Sequence, residues 1–206
     1  MTLPVSATIE VMSEIPPVVV DCDRALAAVQ HLVDNVRPDQ WAAPTPCSEW
    51  NVRQLLQHIA GGNAIYASIA TGERPAGPVT AEERAVDRLG DDPVAGFRAT
   101  GKQMHDAFAA PGFLEGEYDA PMMGKQPGSM LVHMRINELL VHGWDLAHAT
   151  GQQPNLPEDL AEQALAMWRH ALAGRPRGNG PFSEERSVPH DAPASDRLAA
   201  FLGRQP

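Results

Sequence analysis

The stretch from Ser129 to Thr150 constrains the fold more than any other part of the sequence. Its apolar residues recur at helical spacing, and Gly151 follows as a natural C-terminal cap. One side of the predicted helix carries Ile136, Leu140 and Trp144, and a second side is also apolar. The pattern therefore predicts a long helix that is buried on two faces.

Three ionisable side chains share the second apolar stripe of this helix. At about 100° per residue, Glu138, His142 and Asp145 fall within about 60° of one another. A carboxylate in such a stripe costs several kcal/mol in desolvation unless a cation compensates it. Arg135 could do so as a salt bridge, or a metal ion could do so together with His142, because positions i and i+4 project side by side. The spacing leaves both interpretations open.

A second helix, predicted from about Asn51 to Ala70, carries His58 on its apolar side. Gly62, one turn later, would leave room beside the imidazole. Two helices would then each direct a ligand-type side chain inward, as helical bundles build metal sites. A lone histidine on an apolar face is usually a core residue, so a structural role for His58 also stays open. His105 on the third helix is a further candidate, as a fourth ligand or an acid/base group.

The rest of the chain predicts more helices and one weak strand signal. We expect a flexible lead-in at 1–16 and one helical domain at 17–206. We predict one helix that starts near residue 21, two more at about 94–108 and 158–172, and a short one from 195. Residues 117–123 are weakly strand-like and could form a hairpin. The segments 71–92 and 174–181 are rich in Pro and Gly and are predicted to be irregular.

Charge and hydropathy exclude several classes of protein. The net charge of −10 argues against nucleic acid and acidic membranes as partners, since phosphate binding needs clustered Lys and Arg. The apolar run Val18 to Val20 is too short to span a bilayer, and the N-terminus resembles no export signal. We therefore expect a cytoplasmic protein with no membrane partner, in which Cys22 and Cys47 stay reduced.

Cys47 and Asp145 are the remaining candidates near the predicted site. Cys47 precedes His58 by 11 residues, roughly 16 Å of helix rise if the helix reaches it, so we expect a structural thiol remote from the metal. Asp145 could orient His142 by accepting its ring N–H, or it could pair with Arg53 or Arg135. We expect the four tryptophans in the core.

Several groups of residues together resemble a known family. They are Thr45-Pro46-Cys47 with Trp50, Leu55-Leu56 with His58, the run from Glu138 through His142 to Gly151, and a closing segment that includes Asp196-Arg197-Leu198 and Phe201 to Arg204. This combination resembles the DinB-like metalloenzyme superfamily, specifically short members similar to the metal-binding domain of mycothiol-dependent maleylpyruvate isomerase. The resemblance runs from about residue 17 to the end.

The resemblance implies an all-α, DinB-like four-helix bundle with an irregular C-terminal extension. It also implies a divalent metal ion, Zn²⁺ before Ni or Fe, held by His58, Glu138 and His142. The implied activity is transfer of a low-molecular-weight thiol such as mycothiol to a small electrophile. The full isomerase has an additional C-terminal domain for which 206 residues leave no room, so we expect a different substrate.

Two alternatives to this activity stay open. One is a metal-dependent hydrolase that uses activated water, and the other is a non-catalytic, metal-stabilised binding or stress-response module. The sequence leaves a homodimer open as the assembly.

Overall fold

The structure is a computed structural model that describes residues 15–121, 123–175, 177 and 183–206. Most of the predicted lead-in and part of the irregular segment at 174–181 lie outside these residues. The helices are α1 (Pro17–Asp34), α2 (Val52–Ala70), α3 (Ala81–Ala85), α4 (Pro93–Phe108), α5 (Gly128–Thr150), α6 (Glu158–Ala171) and α7 (Ala194–Phe201). The strands are β1 (Glu117–Ala120) and β2 (Gly124–Pro127).

Four helices form the central bundle. Helix α1 packs against α4 and α5, and α2 packs against the same two helices. All residues from 139 to 147 of α5 are buried, which confirms that this helix is covered on both faces. The predicted four-helix bundle is thus confirmed. No helix in the described ranges, α5 included, is long and apolar enough to cross a membrane.

A hairpin and a short helix lie in the segments that connect the bundle helices. The predicted hairpin is confirmed: β1 pairs antiparallel with β2, with Glu117 opposite Pro127. No sequence signal marks β2, because its residues do not alternate between polar and apolar types. Helix α3 was also missed within the region predicted as irregular, where Thr80 and Glu83 form a capping box that starts the helix.

The C-terminal part of the chain returns to the bundle. Helices α6 and α7 pack against each other, and both contact α5. The indole Nε1 of Trp144 on α5 donates a 2.7 Å hydrogen bond to Asp196 of α7. This contact anchors α7, and with it the last residues of the chain, beside the middle of α5.

The start of helix α2 is determined by its N-cap residue, Asn51. The Asn51 side chain accepts from the backbone N–H of Gln54, and the Gln54 side chain accepts in return from Asn51. The residues before Asn51 are therefore not helical. They form a loop closed by a bridge between Pro44 and Asn51, and this loop, residues 44–51, lies beside the candidate site.

Candidate metal centre

The three predicted metal ligands meet between α2 and α5. Nε2 of His58 lies 3.3 Å from Oε2 of Glu138, and Nε2 of His142 lies 3.9 Å from the same oxygen. One donor atom from each side chain lies within 4.8 Å of the others. Donor atoms around a tetrahedral ion with bonds of about 2.1 Å are separated by about 3.4 Å, so this spacing fits one ion after small adjustments.

The three side chains face a cavity of about 700 Å³. Its other walls come from loop 44–51, from α6 and from the C-terminal tail. They include Cys47, Trp50, Val141, Trp168, Leu202 and Arg204. The Glu138 side chain is 43% exposed and that of His58 is 38% exposed, because both open onto this space. Glu138 is thus less enclosed than its place in the apolar stripe predicted, and the site is accessible to small molecules.

Glu138 is surrounded by groups that stabilise its negative charge. Partial desolvation by the surrounding protein raises the pKa of Glu138, but the hydrogen bond from His58 and the electrostatic attraction of His142 and Arg135 outweigh it and lower the pKa to about 2. Nη1 of Arg135 lies 3.7 Å from Oε2 of Glu138. Of the two compensating cations that the sequence left open, Arg135 lies beside the carboxylate, and the two histidines that would share a metal ion with Glu138 lie beside the same oxygen. The carboxylate stays ionised at neutral pH, as a metal ligand must be.

The sequence suggested that Gly62 leaves room for the His58 imidazole, but the space beside Gly62 is filled by Arg135. A Cβ atom at Gly62 would overlap with Nη1 of Arg135 and lie 3.1 Å from its Cζ. The Arg135 side chain is almost fully buried, and its Nη2 donates to Oδ1 of Asn63 at 2.7 Å. A fixed positive charge therefore lies beneath the site.

Asp145 orients His142 from the opposite side of the ring. Its Oδ2 lies 3.0 Å from Nδ1 of His142, and Arg204 donates to both carboxylate oxygens. Burial raises the pKa of Asp145, but the hydrogen bonds from His142 and Arg204 outweigh it and lower the pKa to about 2. Because an ionised carboxylate only accepts, Nδ1 of His142 carries the proton, and in the neutral ring Nε2 keeps its lone pair on the Glu138 side. Of the two arginines predicted as partners of Asp145, Arg53 binds Asp87 and Arg135 lies beside Glu138.

Cys47 lies next to the site, so the prediction that it is remote was wrong. Its Sγ is 3.2 Å from Oδ2 of Asp145 and 4.0 Å from Nδ1 of His142. The distance estimate assumed helix up to Cys47, whereas loop 44–51 folds back over the site. Burial and the neighbouring Asp145 raise the pKa of the thiol to about 12.

Cys47, His142 and Asp145 form a second group of donor atoms that shares His142 with the first. In this group the Arg204 guanidinium already compensates the carboxylate. The group of His58, Glu138 and His142 opens onto the cavity and is the better candidate for a metal ion. Metal binding by these three residues stays a prediction.

Two further ring side chains, those of Trp50 and His105, were considered from the sequence. The ring of Trp50, expected in the core, stacks on the His58 imidazole with centroids 4.5 Å apart. His105 lies outside the site, since its Nδ1 is 2.8 Å from Asp23 on α1, and it is not a fourth donor. Arg204 and Trp50 belonged to the family resemblance, but no periodicity could have placed either side chain at the site.

Sequence comparison finds a family model and relatives that match more than half of this chain. The family model described as mycothiol maleylpyruvate isomerase N-terminal domain matches residues 22–147. Two Mycobacterium tuberculosis proteins, MT0763 of strain CDC 1551 / Oshkosh and Rv0738 of strain H37Rv, are each 40% identical over 182 residues. Those alignments cover 88% of this chain and 94% of each relative.

A solved structure shows the same fold. The crystal structure of the mycothiol-dependent maleylpyruvate isomerase superposes with a TM-score of 0.59 at 18% sequence identity, covering 76% of this chain and 72% of that chain. At that identity the likeness concerns the fold alone. The family model and the relatives carry the assignment, and they confirm the resemblance seen in the sequence. This chain belongs to the family of the mycothiol maleylpyruvate isomerase N-terminal domain.

Proposed function

We propose that this protein is a metal-dependent thiol transferase, with one divalent ion held by His58, Glu138 and His142 and a mycothiol-type thiol as cosubstrate. The observation that carries the proposal is the convergence of three ligand-type atoms within 4.8 Å beside an open cavity. Two imidazoles and one carboxylate are ligands that Zn²⁺ accepts, with Ni and Fe(II) as alternatives.

The side chains of this chain prepare the site for such an ion. Asp145 holds the proton on Nδ1 of His142, so that Nε2 is available as a ligand. Arg135 helps to keep Glu138 ionised, and Trp50 covers one face of His58. A bound ion would supply an open coordination position that holds a thiol as its thiolate.

The cavity supports a small-molecule thiol and an electrophile as the reacting pair. Its volume of about 700 Å³ lies within the range of about 300–1,000 Å³ that is typical of small-molecule sites. Apolar side chains from Trp50, Val141, Trp168 and Leu202 line it together with polar groups. The Cys47 thiol, with its raised pKa, stays protonated at neutral pH, so the reactive sulfur would come from the cosubstrate.

The first test measures metal. Purified protein should carry about one transition-metal ion per chain by elemental analysis, and His58→Ala, His142→Ala and Glu138→Gln should each lose most of it. His148→Ala is a matched control on the same helix, because that exposed imidazole stacks on Trp144 outside the donor group. Full metal content in both ligand histidine variants would overturn the assignment.

The second test separates thiol transfer from other metal-dependent chemistry. In Co(II)-substituted protein, mycothiol should produce a sulfur-to-metal charge-transfer band, and an analogue with serine in place of cysteine should not. Conjugation of the thiol to a test electrophile should require both metal and thiol. A metal-loaded protein without the band and without thiol-dependent turnover would overturn the transferase proposal in favour of a hydrolase or a non-catalytic module.

A further inference from the structure

The C-terminal end of α7 directs Arg204 back toward the site. The backbone N–H of Gly203 donates to the carbonyl of Ala200, and that of Arg204 donates to the carbonyl of Ala199, both at 3.0 Å. These two bonds form a Schellman motif, in which the residue after the last helical turn takes a positive φ. Gly203 has a φ of 91°, a value at which a Cβ atom would be strained.

The Arg204 guanidinium donates two parallel hydrogen bonds to the Asp145 carboxylate. Its Nε lies 3.0 Å from Oδ1 and its Nη2 lies 2.9 Å from Oδ2. The Asp145 side chain is fully buried, and that of Arg204 is 12% exposed. A two-pronged arginine–carboxylate pair fixes both the position and the plane of the carboxylate.

Asp145 passes this restraint on to His142. The same Oδ2 that accepts from Arg204 also accepts from Nδ1 of His142 at 3.0 Å, and the Cys47 thiol donates to it at 3.2 Å. Three donors from the tail, from α5 and from loop 44–51 therefore converge on one oxygen. The orientation of the His142 ring depends on where that oxygen lies.

We propose that Arg204 is a positioning residue of the metal centre: it locks Asp145, and through Asp145 it sets the orientation and tautomer of His142. The inference rests on the proposed function, since positioning matters only if His142 binds an ion. The tail residues after α7 thereby become part of the site. Removing a partner that orients a ligating histidine typically costs about 10–100-fold in metal affinity.

A purely structural role for Arg204, as a clamp that holds α7 to α5, is the competing explanation. It predicts a lower melting temperature with unchanged metal affinity. Arg197→Ala is the matched control, because Arg197 is also a carboxylate-bound arginine of the C-terminal segment but pairs with Glu162 away from the site. A general loosening of α7 would affect both variants alike.

The test is a double-mutant cycle on metal affinity, measured by competition with a chelator. Arg204→Ala should weaken Zn²⁺ binding about 10-fold, Asp145→Asn should weaken it about 10–100-fold, and the double variant should bind like Asp145→Asn alone. Arg204→Lys keeps the positive charge but loses the two parallel donors of the guanidinium. Its Zn²⁺ affinity should therefore lie between those of wild type and Arg204→Ala. Equal losses from Arg204→Ala in both backgrounds, or no loss, would overturn the proposal.

A second measurement keeps this proposal separate from the proposed function. In metal-free protein, nitrogen NMR of the imidazoles should show His142 with its proton on Nδ1, and Arg204→Ala should shift it toward a tautomer mixture while Arg197→Ala should not. If wild-type protein binds no metal, the proposed function fails, and this spectrum still decides whether Arg204 positions His142. An unchanged His142 signal in Arg204→Ala would overturn the positioning role, and Arg204→Lys provides the same test if the alanine variant does not fold.

Discussion

The indole ring of Trp50 stacks on the imidazole of His58, with ring centroids 4.5 Å apart and planes inclined by 30°. The loop fixes this tryptophan through its backbone. The Thr45 hydroxyl donates to the carbonyl of Trp50 at 2.8 Å, and the Trp50 N–H donates to the carbonyl of Cys47 at 2.8 Å. One loop thus supplies a contact for each histidine: Trp50 for His58, and Cys47, through Asp145, for His142.

Removing the Trp50 ring should weaken metal binding without unfolding the protein. An aromatic stack contributes about 1 kcal/mol, so Trp50→Ala should lower metal affinity about fivefold, and Trp50→Phe should retain most of it. Binding of Co(II) should quench tryptophan fluorescence strongly in wild type and weakly in Trp50→Phe. Trp41→Phe, which alters a tryptophan that does not line the cavity, is the control and should keep the quench.

Periodicity in the sequence predicted the parts of the site that local geometry determines. Glu138 and His142 stand four residues apart on one helix, so their proximity follows from the helical repeat. His58 could be assigned to the inner face of α2 for the same reason. The predicted bounds of the main bundle helices agree with the structure to within a few residues, because apolar spacing and capping residues mark them.

The missed features lie outside periodic elements or depend on contacts between helices. Cys47 and Trp50 reach the site because a non-helical loop folds back, and Arg204 does so because a helix cap reverses the chain. No residue spacing encodes those paths. Gly62 was correctly recognised as making space on α2, but which neighbour fills that space is decided by α5, which supplies Arg135.

Both cysteine thiols should react slowly in the folded protein. Burial raises the pKa of Cys22 to about 12, and burial with Asp145 does the same for Cys47. Since the thiolate is the reactive form, alkylation of native protein at pH 8 should be at least about 100-fold slower than that of free cysteine. Iodoacetamide labelling followed by mass spectrometry measures this, with and without metal.

Denatured protein is the control for the labelling experiment, and it should label at both cysteines at the ordinary rate. Cys22→Ala and Cys47→Ala assign the label to one thiol or the other. Rapid labelling of Cys47 in native protein would contradict the hydrogen bond to Asp145 and would indicate an activated thiol.

Asp145 should make the metal-free protein sensitive to acid. Its folded pKa of about 2 lies below its value in the unfolded chain, so its contribution is present above about pH 4 and is lost as the pH falls toward 2. A shift of this size corresponds to about 2 kcal/mol of unfolding free energy. Urea unfolding at several pH values should therefore show a shallower loss between pH 4.5 and 2.5 in Asp145→Asn than in wild type. Equal slopes would indicate that Asp145 is not held ionised in the folded state.

Two adjacent glycines of α2 should respond in opposite ways to the same substitution. A Cβ at Gly61 would meet no other atom within 4 Å, so Gly61→Ala should stabilise the helix by about 0.4–1 kcal/mol. A Cβ at Gly62 would collide with the Arg135 guanidinium, which its bond to Asn63 and its burial prevent from moving freely. Gly62→Ala should therefore destabilise the protein by about 1–3 kcal/mol, as overpacking does. Chemical unfolding of metal-free protein measures both changes.

Because Arg135 lies 3.7 Å from Glu138, Gly62→Ala should also alter metal affinity, whereas Gly61→Ala should not. If both substitutions stabilise the protein equally, Arg135 has room to rearrange. The conclusion that its guanidinium is a fixed positive charge beneath the site would then be wrong.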